Sequence, residues 1–320
     1  MGVSRREWLG SSAALISVWA GCPGLLQAQE QPKLYPLASS SLVLDVTAAG
    51  DALIAVGDRG FILRSTDQGL SWSQVASPSR VMLTAVAMAS PTVGFAVGHD
   101  TTILKTTDAG QSWSQIASDP QLESPFFDLS FVSPEKGFVV GAYGLIHETI
   151  DGGQSWRERK ISDDEPHLYG IAHRGRYVFT AGEAGALFFS GDNGGTWTQL
   201  AASPYDGSYF GILALKDGGL LLHGLRGNLF RSDDAGESWT KIDTGTQASL
   251  QGAVQRQDGK VIVVGLSGTV LTSADGRAFK LQSLPDREAL SGIFETPAGQ
   301  LIIYGEKGVR RFDPAKAPGA

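Results

Sequence analysis

At 320 residues, with a net charge of −7 and 41 glycines, the chain suits many short strands joined by tight turns better than long helices. It has no Lys/Arg-rich tract, which disfavours nucleic acid as the partner. Beyond the first 30 residues no apolar run reaches 18, and the only cysteine is Cys22, so neither an apolar membrane-spanning helix nor a disulfide is expected in the body.

The first element in chain order is a targeting segment. Ser4-Arg5-Arg6-Glu7-Trp8-Leu9 reads as a twin-arginine export signal, followed by an apolar stretch from Ala13 to Ala20 and a cleavage site after Leu26-Gln27-Ala28. Such export carries folded proteins and places the mature chain in the periplasm, or in the thylakoid lumen of a phototroph. Ala20-Gly21-Cys22 offers a second reading, a lipid anchor at Cys22, although Trp19 stands where an aliphatic residue is usual. The expected organisation is a signal over 1–28, one folded body over 29–313 and a tail over 314–320.

From Leu42 onward the chain repeats itself. An apolar strand closes on a glycine at Gly57, Gly98, Gly141, Gly182, Gly224, Gly265 and Gly305, and six of the seven continue as Gly-x-x-Gly, with Thr101 breaking the second. That tetrad reads as a hairpin turn needing positive φ. A third strand follows, and then Ser/Thr-x-Asp-x-Gly-x-Ser/Thr-Trp or a worn copy. The aspartates are Asp67, Asp108, Asp151, Asp192, Asp234 and Asp275, at steps of 41, 43, 41, 42 and 41 residues. A period near 42 in short strands predicts an all-β, seven-bladed β-propeller of four-stranded antiparallel blades.

The Asp motif joins third to fourth strand. Its carboxylate is suited to gather turn amides while its glycine goes left-handed. Trp72, Trp113, Trp156, Trp197 and Trp239 then start the outer strands and lay their rings over a sheet. Residues repeated around a ring do not form one active site, so these aspartates and tryptophans are read as structural.

The innermost strands carry small residues at one matched place, as crowding at an axis demands, except for Asp45 and Asp128, which are expected near a water-filled channel. The seventh repeat ends at Asp313 without an outer strand. Lys33-Leu34-Tyr35-Pro36-Leu37 is therefore expected to supply it and close the ring.

Function is expected on the opposite face from the Asp motifs, where variable residues sit inside a constant frame. Candidate partner-binding residues there are Arg59, Arg80, His99, Tyr143, Tyr169, Tyr209, Arg226 and Arg287. Arginine and tyrosine favour protein interfaces. No phosphate loop, nucleophile elbow or metal-ligand spacing of histidines is present, so no catalytic residue, cofactor or metal is assigned.

With these motifs in view, the chain resembles the photosystem II stability and assembly factor family, most clearly at residues 57–72, 98–113 and 141–156. The resemblance covers residues 31–313. It implies a seven-bladed propeller and a non-enzymatic scaffold that binds a membrane-protein complex or its assembly intermediate, on the lumenal side in phototrophs. Two alternatives stay open. Asp boxes are also found in sialidases, implying a glycoside hydrolase or carbohydrate-binding propeller, although the Phe/Tyr-Arg-Ile-Pro sequence of sialidases is absent. The other is a periplasmic accessory protein of a membrane transporter.

Overall fold

The computed structural model describes residues 34–314. Seven antiparallel sheets follow one another in sequence, six of four strands and the last of three. In blade one the strands are Val43–Ala49, Ala52–Gly57, Ile62–Ser65 and Ser73–Val75, hydrogen-bonded in that order. The inner strands of blades two to seven are Leu83–Met88, Phe126–Phe131, Leu168–Arg174, Tyr209–Ala214, Leu250–Gln255 and Leu290–Glu295.

The apolar material lies between blades. Second strands such as Leu53-Ile54-Ala55-Val56 are unbroken apolar runs because both faces of each sheet are covered by a neighbour. Ile54, Val56 and Ile62 of blade one meet Leu83, Val86 and Leu104 of blade two. Six more clusters of this kind continue round, and the last joins Ile302, Tyr304 and Val309 of blade seven to Val46, Leu53 and Leu63 of blade one. The core is thus a closed set of seven interfaces.

Each Asp motif pins its own turn and the preceding blade. In blade three the Thr149 hydroxyl donates to Asp151 Oδ1 at 2.9 Å and accepts the Gly153 amide at 2.9 Å. Asp151 also receives the Ser155 amide at 2.9 Å and the Ser155 hydroxyl at 2.6 Å. The Ser155 bonds lead those that hold Asp151 down at about 2. The corresponding hydroxyl and amide bonds hold Asp192 and Asp234 at about 2 and Asp67 well below the usual carboxylate range.

Gly153 has φ +72°, and a Cβ there would lie 2.2 Å from the Phe95 ring of blade two. Trp156 meets that same ring edge-on at 5.7 Å. The tryptophans therefore seal the seam with the blade before. Thr149→Val keeps the shape of a buried side chain but strips the Gly153 amide of its acceptor. A loss of about 1–3 kcal/mol in the urea unfolding free energy is expected.

The Gly-x-x-Gly tetrad is a turn with positive φ, as expected, but its two glycines serve different ends. Positive φ falls on the third and fourth residues, Arg59 at 53° and Gly60 at 70°. The first glycine, Gly57, is extended at φ 179°. It is needed for room, because a Cβ there would lie 2.1 Å from the Leu42 carbonyl oxygen. The same approach lets the Asp58 amide donate to that carbonyl at 3.0 Å, and the bond recurs in all seven blades, from His99 to Met82 through Glu306 to Ala289.

Ring closure has several parts. Gly308 of blade seven lies hard against the Ser39 backbone, as Gly60 lies against Ser79 and Gly227 against Thr246. Residues 38–40 thus occupy the place of an inter-blade connection after blade seven. Leu34 and Tyr35 join no ladder, and Pro36 and Leu37 form a turn. The expected closing strand begins at Lys33, which lies outside the described residues, as do the export signal, Cys22 and most of the tail. On the Asp-motif face, Arg311 of blade seven donates to the Gln68 and Asp67 carbonyls of blade one, both at 2.8 Å. Arg64, Lys105 and Arg231 make the matching bonds from blades one, two and five to the next blade, reaching Ala109, Gly152 and Asp275.

Candidate partner-binding face

The recurring Asp58-to-Leu42 type of bond fixes the geometry of the face opposite the Asp motifs. It ties every second-to-third-strand turn to the connection entering the inner strand of its own blade. Both therefore lie at one end of the ring.

A second recurring feature builds the centre of that face. Every inner strand carries a β-bulge at its first turn of ladder: Val43 pairs with Gly57 and Asp45 with Val56, leaving Leu44 unpaired. The corresponding extra residues are Thr84, Phe127, Tyr169, Phe210, Gln251 and Ser291. A bulge turns a side chain out of strand alternation, and bulges recur next to functional sites. All seven extra residues line one axial cavity of about 210 Å³. They form a crown around its mouth.

The crown is chemically lopsided. Phe127, Tyr169 and Phe210 stand on consecutive blades, with ring centroids 5.1 and 5.8 Å apart. His167 extends the arc, 6.2 Å from Tyr169 and 4.8 Å from the exposed Tyr143. The Tyr143 amide donates to His167 Nδ1 at 3.0 Å, so that nitrogen is the acceptor. Burial and the Glu183 carboxylate raise the Tyr169 phenol.

Below the crown, the residue after each bulge faces the axis. Where it is glycine, neighbouring blades touch: a Cβ on Gly170 would lie 2.8 Å from Gly211 Cα, and one on Gly252 equally close to Gly292 Cα. Where it is aspartate, the carboxylate bridges to the next blade. Asp45 Oδ1 accepts the Val46 amide and Oδ2 the Val86 amide, both at 2.8 Å. Asp128 does the same with Leu129 at 2.8 Å and Ile171 at 2.9 Å. Tyr304 of blade seven donates to Asp45 at 3.3 Å, and His223 of blade five lies 3.1 Å from the Leu250 carbonyl of blade six.

Both carboxylates are enclosed by protein yet reachable from the channel. Burial pushes Asp45 up to about 6 and Asp128 to about 7; the Asp45 charge adds to the latter while the amide bonds oppose it. Burial lowers His223 to about 4 and raises Tyr304 well above its ordinary value. The expectation of Asp45 and Asp128 beside an axial channel is met, and each also ties its blade to the next.

The candidate residues named from sequence fall in three groups. Tyr169 is in the crown and Tyr143 beside it. Arg59, Arg226 and Arg287 are exposed at left-handed positions, and His99 and Arg80 are exposed as well. They are spread round the rim: Arg59 and Arg80 adjoin at blade one, where a Cβ on Gly60 would meet Arg80 Cα at 3.1 Å, Arg226 is on blade five and Arg287 precedes blade seven. The third group is a correction. Tyr209 is 0 % exposed, its hydroxyl 2.9 Å from Ser203 Oγ and bonded to the Tyr205 carbonyl at 3.0 Å. The bulge gives the channel place in blade five to Phe210, so Tyr209 takes the core place that Leu168 has in blade four.

Phe127 and Phe210 were not among the candidates, and one sequence signal points to them: each immediately precedes the matched axial residue. Among the described residues no three His, Cys, Asp or Glu side chains gather as metal ligands, and no helix is long and apolar enough to cross a membrane.

The solved structure "YCF48 bound to D1 peptide" is 20 % identical with a TM-score of 0.70, over 87 % of this chain and 94 % of that one. YCF48 from Cyanidioschyzon merolae is 17 % identical with a TM-score of 0.69, over 89 % and 99 %. A streptogramin B lyase structure reaches a TM-score of 0.75 at 12 % identity, over 86 % and 94 %. At these identities the likeness shows the propeller fold alone. Among curated proteins, the uncharacterized protein YkuO of Bacillus subtilis (strain 168) is 32 % identical over 81 residues, 25 % of this chain. The match spans only 27 % of YkuO's length. The family model described as photosynthesis system II assembly factor YCF48 matches residues 30–125 and 119–278, most of the chain. The chain belongs to the photosynthesis system II assembly factor YCF48 family.

Proposed function

We propose that this protein is an exported, non-enzymatic scaffold that grips a membrane-protein complex or its assembly intermediate through the crown face. The observation that carries the reading is the sevenfold bulge, which spends a ladder position in every blade to aim one variable side chain at the same opening. Three of those side chains are aromatic and adjacent, a composition that favours protein contact. The D1 peptide held by the solved YCF48 supports a peptide segment as the thing gripped.

The non-enzymatic reading rests on how the acidic groups are engaged. The Asp-motif carboxylates are committed to turn amides and hydroxyls, and the axial pair to amides of neighbouring blades. Neither Arg59 nor Arg226 lines the axial cavity, where arginines of different blades would have to gather around one carboxylate as in a sialidase. Export rests on Arg5-Arg6 and the apolar stretch behind them, and gives a signal over 1–28 ahead of the propeller.

The test is capture from detergent-solubilised native membranes. Wild type is expected to retain a membrane protein, and the Phe127→Ala/Tyr169→Ala double variant to retain at least about tenfold less, as loss of two aromatic anchors implies. Equal retention by the double variant, or turnover of sialosides by the purified protein, would contradict the reading.

A further inference from the structure

We propose that the channel mouth receives one lysine or arginine side chain from an extended segment of the partner. Its apolar stem lies against Phe127, Tyr169 and Phe210, and its cationic head lies at Asp45 and Asp128. The inference rests on the crown face being the partner-binding face and adds the chemistry of what enters it.

Three observations select this occupant. The cavity of about 210 Å³ has room for roughly seven waters at ~30 Å³ each, enough for one long side chain and too little for a folded element. Its wall is aromatic at the rim and acidic below, in the order that a long cationic side chain presents: methylenes first, charge at the tip. Aromatic faces also attract the cation itself.

The third observation is charge. Each Asp45 and Asp128 oxygen accepts a backbone amide and keeps further lone-pair capacity. Among the described residues no lysine or arginine forms an ion pair with either, whereas Glu288 and Glu295, also buried, each have one such partner and Glu148 has two. The other titratable groups facing the channel are Tyr169 in the crown, Tyr304 from blade seven and His223 from blade five; burial favours the neutral form of all three, and the Glu183 carboxylate adds to this at Tyr169. The Asp45 charge adds to the cost of ionising Asp128, which an entering cation would relieve.

The probes are the blocked tripeptides Gly-Lys-Gly and Gly-Arg-Gly, with norleucine and citrulline in the central position as controls. Binding is followed by NMR through the Val86 and Ile171 amides, which are bonded to the two carboxylates. The cationic peptides are expected to shift both amides saturably at neutral pH, with the controls at least about tenfold weaker. Acid is expected to weaken the cationic peptides, because protonated carboxyls lose the attraction. The Asp45→Asn/Asp128→Asn variant should lose the preference for cations, its fold checked by the rest of its spectrum. Tyr169→Leu keeps the acidic floor and should weaken binding by itself.

Equal binding of the controls, or no saturable shift at about 20 mM peptide, would overturn the inference. If wild type captures a membrane protein while the tripeptides fail, this inference alone falls. If the tripeptides bind while capture fails, the partner reading falls and the channel chemistry stands.

Discussion

Asp128→Asn is expected to cost the propeller more stability at pH 5 than at pH 8, by about 3 kcal/mol. The carboxyl is raised to about 7 in the fold against 3.8 in a free chain. Between those values the folded state holds a proton that the unfolded state has released. Wild-type stability from this group is therefore full at low pH and is lost as pH rises toward 7. Asparagine does not titrate, so the gap between variant and wild type narrows with rising pH. Asp45→Asn should behave alike with a smaller swing, its carboxyl being raised only to about 6.

His223 moves the other way. Its folded value of about 4 lies below the ordinary 6.5, so its contribution is full at high pH and is lost as pH falls through that range, about 2 kcal/mol by pH 5. His147 and His173 are also lowered by burial and act in the same sense. The wild-type profile is thus a partial cancellation, and the variants separate its components. For His223→Gln the gap to wild type should shrink in acid while that for Asp128→Asn grows. Urea midpoints with unchanged m-values at the two pH values read both. Gaps that do not move with pH would mean that burial does not perturb these groups.

Arg311→Ala is expected to lower stability by about 3 kcal/mol, the scale of two charge-assisted hydrogen bonds. Its two bonds cross from the last blade to the first, so it acts on the one seam the chain does not connect covalently. Unfolding should accelerate more than refolding slows, because a seam between chain ends forms late. Arg64→Ala breaks one bond of the same kind between blades one and two, which stay tethered by the chain, and should cost less. Equal effects of the two substitutions on the unfolding rate would show that the ring has no special seam at blade seven.

The recurrence of Asp67, Asp108, Asp151 and their kin announced the propeller, and the seven strand-closing glycines from Gly57 to Gly305 its blade number, because each blade must repeat the same turns to stack on its neighbour. The small axial residues were legible for the same reason, as was the place of Asp45 and Asp128 beside the channel, whereas their bridges to the Val86 and Ile171 amides of the next blade were not. The first glycine of each tetrad was legible as a turn marker, yet its cause was not. A sequence does not tell a glycine needed for positive φ from one such as Gly57 that admits a carbonyl.

The crown was half legible. Tyr169 and Tyr143 were found as aromatics in variable places, but Tyr209 was chosen where Phe210 belongs. Two consecutive aromatics precede Gly211, and strand alternation alone does not say which one faces the channel. The bulge decides it, and aligning Gly211 with Gly170 places Phe210 on Tyr169. Arg311 escaped notice because its partners are backbone carbonyls some 244 residues away in sequence, which leave no trace in side-chain identity.

The most direct measurement is photo-crosslinking in native membranes from a benzoyl-phenylalanine placed either at Tyr169, in the crown, or at Leu70, which is 69 % exposed on the Asp-motif face. The expected result is a discrete adduct with a membrane protein from position 169 and none from position 70. An adduct from position 70 alone, or equal adducts from both, would contradict a partner held by the crown.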